Sequence, residues 1–233
     1  MGAISKLKAM VEAESFPLKA MLLLARHLPF RNKYRIKRKN TAKLSLTFLK
    51  KTAIEMRGQG NTLIIAPGTR LYGCHIYVRG NHNKITIGTF CTLQNVEIWI
   101  EDNGNEISIG EHTSFAGATH LSATEGKRIT IGKDCMFSAG ITVRTGDSHS
   151  IVDQNGNRIN PAKDVTLGNH VWVGNTVIIT KGAAISDNSI VGTGSIVTRR
   201  FEESGVVLAG NPAKIIKNNI SWDRERLPIK EQV

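Results

Sequence analysis

Two short stretches hold the residues best suited to chemistry: Gly146-Asp147-Ser148-His149 and, 23 residues beyond the imidazole, Trp172 in His170-Val171-Trp172-Val173. An imidazole titrates near neutral pH, so it can take a proton from a hydroxyl and hand it on to a leaving group. In an extended segment, residues i and i+2 share a face, so Asp147 either orients the His149 ring or caps a turn. Asp147, Ser148 and His149 do not make a Ser/His/Asp triad, because sequence neighbours do not reach one another in that geometry. His170 and His120 are the next proton-transfer candidates, and His75 occupies a slot that suits packing. Cys74, Cys91 and Cys135 form no C-x-x-C pair. They read as small core residues of a reducing compartment, not as a disulfide or metal set.

Such residues need a scaffold, and the scaffold is legible between Val165 and Phe201. Counted in sixes, aliphatic residues recur at Leu167, Val173, Ile179, Ile185, Val191 and Val197. Four residues after each of the first five stand Val171, Val177, Ala183, Ser189 and Ser195, all small or β-branched. Six is neither the period of a helix (~3.6) nor that of a strand (~2); it marks a solenoid whose coils have three short sides. Each aliphatic residue points inward, and the small residue lets the chain turn the corner.

Upstream the repeat lengthens to 22, joining Ile65, Ile87, Ile109 and Ile131, each followed six residues on by Leu71, Leu93, Phe115 and Phe137. Twenty-two is three sixes plus four, and the extra residues fall at one corner, in 58–61, 80–83, 102–105 and 124–127. Gly and Asn are common there because they tolerate left-handed backbone angles. Asn61, Asn83 and Asn105 stack one above another, either as a ladder of side-chain amides or each serving its own turn. From Ile131 to Leu167 the spacing is 36, and the in-phase inward positions would be His149, Asn155 and Pro161. Residues 149–164 are therefore an irregular coil, or a loop that leaves the solenoid and rejoins it in register. A single break in so regular a chain is where function is expected.

Charge is concentrated at one end. Residues 1–51 hold 13 Lys and Arg against two acids, whereas the rest of the chain holds 18 against 17. The densest run, Arg31, Lys33, Arg35, Lys37, Arg38 and Lys39, attracts an anionic surface or forms a solvated face. Leu7, Met10, Val11 and then Leu18, Met21, Leu22 recur at spacings of three and four, which predicts helices broken by Pro17 and Pro29. A further amphipathic helix is predicted over 42–51, and together these could cap the open end of the solenoid. The apolar run 20–28 is short and carries Arg26 and His27, so it is not expected to span a bilayer, and no secretory signal is expected.

The hexad run, the Gly146–His149 break, Val171-Trp172-Val173-Gly174 and the ending Ala209-Gly210-Asn211-Pro212-Ala213-Lys214 resemble the hexapeptide-repeat acyltransferases. The Asp-x-His, the His-Val-Trp and the repeat spacing are most similar to the O-acetyltransferases of bacterial capsule, polysialic acid and O-antigen sugars, over about residues 54–217. The resemblance implies an all-β fold, a left-handed parallel β-helix over 53–202 with an irregular loop at 147–164. A basic, mainly helical segment, 1–52, would precede it, and a tail, 203–233, would contribute to coenzyme A binding. Left-handedness comes from the resemblance alone, since ordinary parallel crossovers are right-handed. Also implied are a homotrimer with sites between neighbouring subunits, acetyl-CoA as co-substrate along the groove, and no metal.

By the same resemblance, His149 is the general base of the site, with Asp147 beside it and Trp172 against the acetyl-CoA arm. Backbone N–H groups around Gly174 and Asn175 would stabilise the tetrahedral oxyanion. Thr193, Thr198 and Arg199 would line the pantetheine groove, and Lys214 and Lys217 would meet the coenzyme A phosphates as point charges. Arg199 and Arg200 read equally as plain surface charges.

The expected activity is acetyl transfer from acetyl-CoA to a hydroxyl of a bacterial surface polysaccharide or its sugar precursor. The basic segment would gather an anionic acceptor or hold a cytoplasmic enzyme peripherally at the inner membrane; no nucleic-acid partner is expected. Other readings on this scaffold are N-acetylation of an amino sugar or antibiotic, and a zinc hydratase of the γ-carbonic-anhydrase type. The hydratase would need three of His112, His120, His149 and His170 to meet across subunits. The Asp-x-His and His-Val-Trp context argues against it. A non-catalytic binding solenoid leaves the break at His149 without a purpose.

Overall fold

The structure, a computed structural model, describes residues 31–228. Alternation of apolar and polar residues builds it. In Lys84–Ile87 and Glu106–Ile109 every second residue is buried, placing Ile85, Ile87, Ile107 and Ile109 inside. Strands this short cannot stand alone, so each hydrogen-bonds to its equivalents in the coils above and below. Every third strand joins the same sheet, giving two eight-stranded sheets and one of nine. Each turn of chain contributes one strand to each sheet, and eight left-handed coils result. The final strand, Ala213–Lys217, folds back antiparallel on Val207–Gly210 and ends the third sheet.

The hexad residues Leu167, Val173, Ile179, Ile185, Val191 and Val197 are all buried, as are Val171, Val177, Ala183, Ser189 and Ser195 at the corners. The 22-residue repeat is buried in the same way, and Phe115 stacks on Phe137 with ring centroids 4.4 Å apart. All three cysteines are free and buried, and loss of hydration pushes each thiol up to about 11. The asparagines do form a ladder. Asn61 Oδ1 accepts from the Asn83 backbone and side chain at 2.9 and 3.1 Å, and Asn83 Oδ1 accepts from Asn105 at 2.8 and 3.1 Å. Asn40 extends it below and the Lys127 N–H closes it above.

The expectation of helix between 31 and 52 is corrected. Lys33–Ile36, Thr41–Leu44 and Phe48–Lys50 are strands, and they form the first coil. Lys33–Ile36 pairs in parallel with Ala53–Met56, and Thr41–Leu44 with Thr62–Ile65. The basic run thus decorates the first edge of the solenoid among the described residues, where Lys and Arg discourage strand-to-strand association of separate molecules. The helices expected before residue 31 lie outside the described residues.

The break between Ile131 and Leu167 is an excursion. Ile141–Arg144 ends a strand of the first sheet, and the chain rejoins at Val165–Leu167 in the second. Ile129 pairs with Val165 and Ile131 with Leu167, so the register is kept across the loop.

Candidate active site

The excursion springs from the edge between the first and second sheets, in the sixth coil. Its tip is a tight hairpin in which Val152 bridges Arg158 and Asp153 Oδ1 accepts the N–H groups of Asn155 and Asn157, both at 2.9 Å. Its neck is held by Asn160, only 6% exposed. The Asn160 side-chain amide donates to Asp147 Oδ2 and to the His149 carbonyl, each at 2.8 Å. Its Oδ1 accepts from Ile151 N–H at 2.7 Å and Arg158 Nε at 3.2 Å. The Asn160 carbonyl receives Lys181 Nζ and Arg158 Nη2, both at 3.2 Å.

Neighbouring coils clamp this neck from both sides. Lys181, one coil on, pairs with Asp147, and Glu125, one coil back, pairs with Arg158 and accepts the Ala162 N–H at 3.1 Å. Hydrogen bonds from Lys181 and then Asn160 hold the Asp147 carboxyl below the usual carboxylate range. Arg158 does the same for Glu125, aided by the Ala162 amide. Asp147 therefore reaches His149 through Asn160 and the backbone, not by a contact with the ring. His149 is exposed, and among the described residues its ring takes no hydrogen bond. The result is a solvent-facing imidazole on a backbone fixed on either side.

The two other proton-transfer candidates, His170 and His120, have polar partners. His170 Nδ1 meets Asp134 Oδ2 at 2.8 Å and Nε2 meets the Trp222 carbonyl at 2.9 Å, while its ring stacks on Trp222 at 4.0 Å. His120 Nδ1 lies 3.4 Å from Glu97 Oε2. Among the described residues no group of three His, Cys, Asp or Glu gathers where it could hold a metal.

Trp172 sits in the third sheet and is half-buried, with its Nε1 shielded and unpartnered. The C-terminal tail wraps back over this face. Trp222 lies 6.2 Å from the Trp172 ring and donates Nε1 to the His170 carbonyl at 2.8 Å. Arg224 ties the tail down through Asp134 Oδ1 and Ser114 Oγ, both at 2.9 Å. Burial tends to raise the Asp134 carboxyl, but His170 and Arg224 outweigh it and the net shift is downward.

Within one chain, then, His149 and Trp172 occupy different faces of the prism. Gly174 and Asn175 follow Trp172 at the corner leading to the first sheet. A Cβ on Gly174 would lie 2.8 Å from Thr193 N, so glycine is needed there for packing on the next coil. The Gly174 N–H donates to Val191 O at 2.8 Å, which leaves Asn175 as the amide of the pair outside the ladder. Thr193 is exposed one coil further along that corner. Thr198 and Arg199 are exposed on the same prism edge as the excursion, two coils on, with Arg199 4.9 Å over the Phe201 ring. Lys214 and Lys217 are exposed on the last strand of the third sheet. The predicted residues thus divide between two regions of the prism.

No protein-family model matches the chain. A polysialic acid O-acetyltransferase of Escherichia coli O1:K1 / APEC is 42% identical over 92 residues, 39% of this chain, and the match spans only 30% of that relative's length. Among solved structures, the polySia-specific acetyltransferase NeuO superposes with a TM-score of 0.74 at 32% identity, over 83% of this chain and 88% of its own. The chain belongs to the hexapeptide-repeat acetyltransferases. A second member, the polysialic acid O-acetyltransferase OatWY, superposes with a TM-score of 0.62 at 32% identity, covering 86% of this chain and 94% of its own.

In this hexapeptide-repeat acetyltransferase, sequence reasoning missed the residues that hold the site. Asn160, Lys181, Glu125, Trp222 and Arg224 carry no local motif. The one available signal was Asn160 itself, an amide beside Pro161 at the end of the break, where the chain must re-enter register.

Proposed function

We propose that this protein transfers an acetyl group from acetyl-CoA to a hydroxyl of a saccharide, either a bacterial surface polysaccharide or its sugar precursor. His149 is the general base. Its imidazole takes the hydroxyl proton as the sugar oxygen bonds to the thioester carbonyl carbon. The C–S bond then breaks, and the proton passes from the imidazolium to the departing coenzyme A sulfur. The Asn175 N–H, outside the backbone ladder, receives the oxyanion. The observation that carries the reading is the pinned neck: the only excursion among the described coils exists to hold one imidazole in solvent.

Membership of the acetyltransferase family supports acetyl-CoA as the donor. Trp172 lines its acyl arm, Thr193, Thr198 and Arg199 its pantetheine, and Lys214 and Lys217 its phosphates. Because His149 and Trp172 lie on different faces, one thioester meets both only if Trp172 comes from a neighbouring copy, and a homotrimer supplies one. The enzyme is cytoplasmic, with the basic first coil and the residues before it drawing it to anionic acceptors or membrane. The deciding experiment is acetyl-CoA turnover with purified polysaccharides, polysialic acid among them, for wild type and His149→Ala. Loss of ~10²–10⁴ in kcat with an unchanged melting profile is expected, and full activity in the variant overturns the assignment.

A further inference from the structure

The outward faces of the first sheet form a row whose members stack coil on coil. Register places Arg35, Glu55, Tyr77, Trp99, Ser122 and Arg144 one above another. The planar groups in the middle of this row are packed together. Arg57 lies 5.5 Å over the Tyr77 ring, Tyr77 lies against Trp99 with centroids 4.3 Å apart, and His75 meets Trp99 edge-on at 6.3 Å. The stack then stops. Ser122 has no ring to continue it, and the next planar group is the Arg144 guanidinium, two coils beyond Trp99.

Coils repeat every ~4.8 Å, so the Trp99 and Arg144 backbone positions stand about 10 Å apart along the solenoid, with only the small Ser122 side chain in the row between them to leave a notch. One pyranose ring fits there with van der Waals contact on both sides, which needs ~4 Å to each. Two further observations define what the notch would hold. Arg144 Nε is shielded from solvent with no hydrogen-bond partner, while its Nη2 donates to Ser148 Oγ at 2.7 Å, beside His149. Alongside runs a groove of about 420 Å³ lined by His75, Glu97, His120 and Thr142, whose polar atoms suit hydroxyls.

We infer that this notch is an acceptor subsite. It binds one sugar ring of a carboxylate-bearing saccharide chain, with the ring's apolar face on Trp99 and an oxygen on Arg144, and directs a neighbouring sugar toward His149. Indole stacking supplies area and orientation, and the outer nitrogens of the Arg144 guanidinium supply the polar anchor. The inference rests on the acetyl-transfer reading above and adds to it which face of the solenoid the polymer follows.

The test uses full-length protein with short oligosialic acid and a neutral oligogalactoside as acceptors, comparing wild type with Trp99→Ala, Trp99→Phe and Ser122→Trp. Trp99→Ala and Ser122→Trp should each raise KM for oligosialic acid about tenfold, while KM for acetyl-CoA stays put. Trp99→Phe should recover most of the loss. Wild type that acetylates oligosialic acid but is indifferent to both changes overturns the subsite and leaves the function standing. Wild type that acetylates another saccharide but not oligosialic acid overturns the subsite alone, and wild type that turns over acetyl-CoA with no saccharide overturns the function itself. If Ser122→Trp instead lowers the mass in sedimentation, the notch is a contact between copies and the subsite is overturned.

Discussion

Asn160→Ala isolates the positioning of His149 from the chemistry of its ring. The substitution removes four side-chain hydrogen bonds, to Asp147, the His149 carbonyl, Ile151 and Arg158. At ~0.5–1.5 kcal/mol each, the neck loses about 2–6 kcal/mol. The loss should stay local. Ile151, Val152 and Ile159 at the tip are 56%, 55% and 58% exposed, so the excursion lends little to the core and can open without the coils. A base displaced by ~1 Å costs about 10²-fold in rate, so kcat should fall by about that factor. The assay pairs acetyl-CoA turnover with amide exchange over residues 146–162 and a thermal melt. Exchange should quicken and kcat fall while the melting temperature moves by only a few degrees. Asn160→Asp, which sets a second carboxylate against Asp147, should be no better than Ala. Fast exchange with kcat within about threefold of wild type would refute the idea that the neck positions the base.

Acid should loosen the same neck. The folded Asp147 carboxyl is held low, so its contribution is present above the unfolded value (~3.9) and lost as pH falls through the folded one. Exchange protection of 146–162, corrected for intrinsic rate, should therefore be flat from neutral pH to about pH 4 and collapse below it. A loss between pH 5 and 8 would assign the neck to another group. Elsewhere, Asn83→Ala cuts the amide ladder between Asn61 and Asn105, both buried, and strands their polar groups. Denaturant unfolding should show a loss of about 3 kcal/mol, and a loss under 1 kcal/mol would mean each asparagine merely serves its own turn.

The solenoid was legible because its determinants are local. Leu167, Val173 and Ile179 face inward by chain geometry alone, and six residues of spacing suffice to show it. The first coil was not legible, although the same rule builds it. Leu49 precedes Leu71 by 22 residues, but Leu44 precedes Ile65 by 21 and Tyr34 precedes Ile54 by 20. Shortened corners break the period, and apolar spacings of three and four then mimic a helix. His149 could be picked out because it sits where the period fails. What holds it could not: Asp147 meets Lys181 34 residues on, Glu125 meets Arg158 across 33, and Arg224 meets Asp134 across 90. Sequence by itself determined which side of each strand is wet. Only the stacking of coils decided which wet side chains touch, because a rise of ~4.8 Å brings together residues that a whole turn of chain keeps apart.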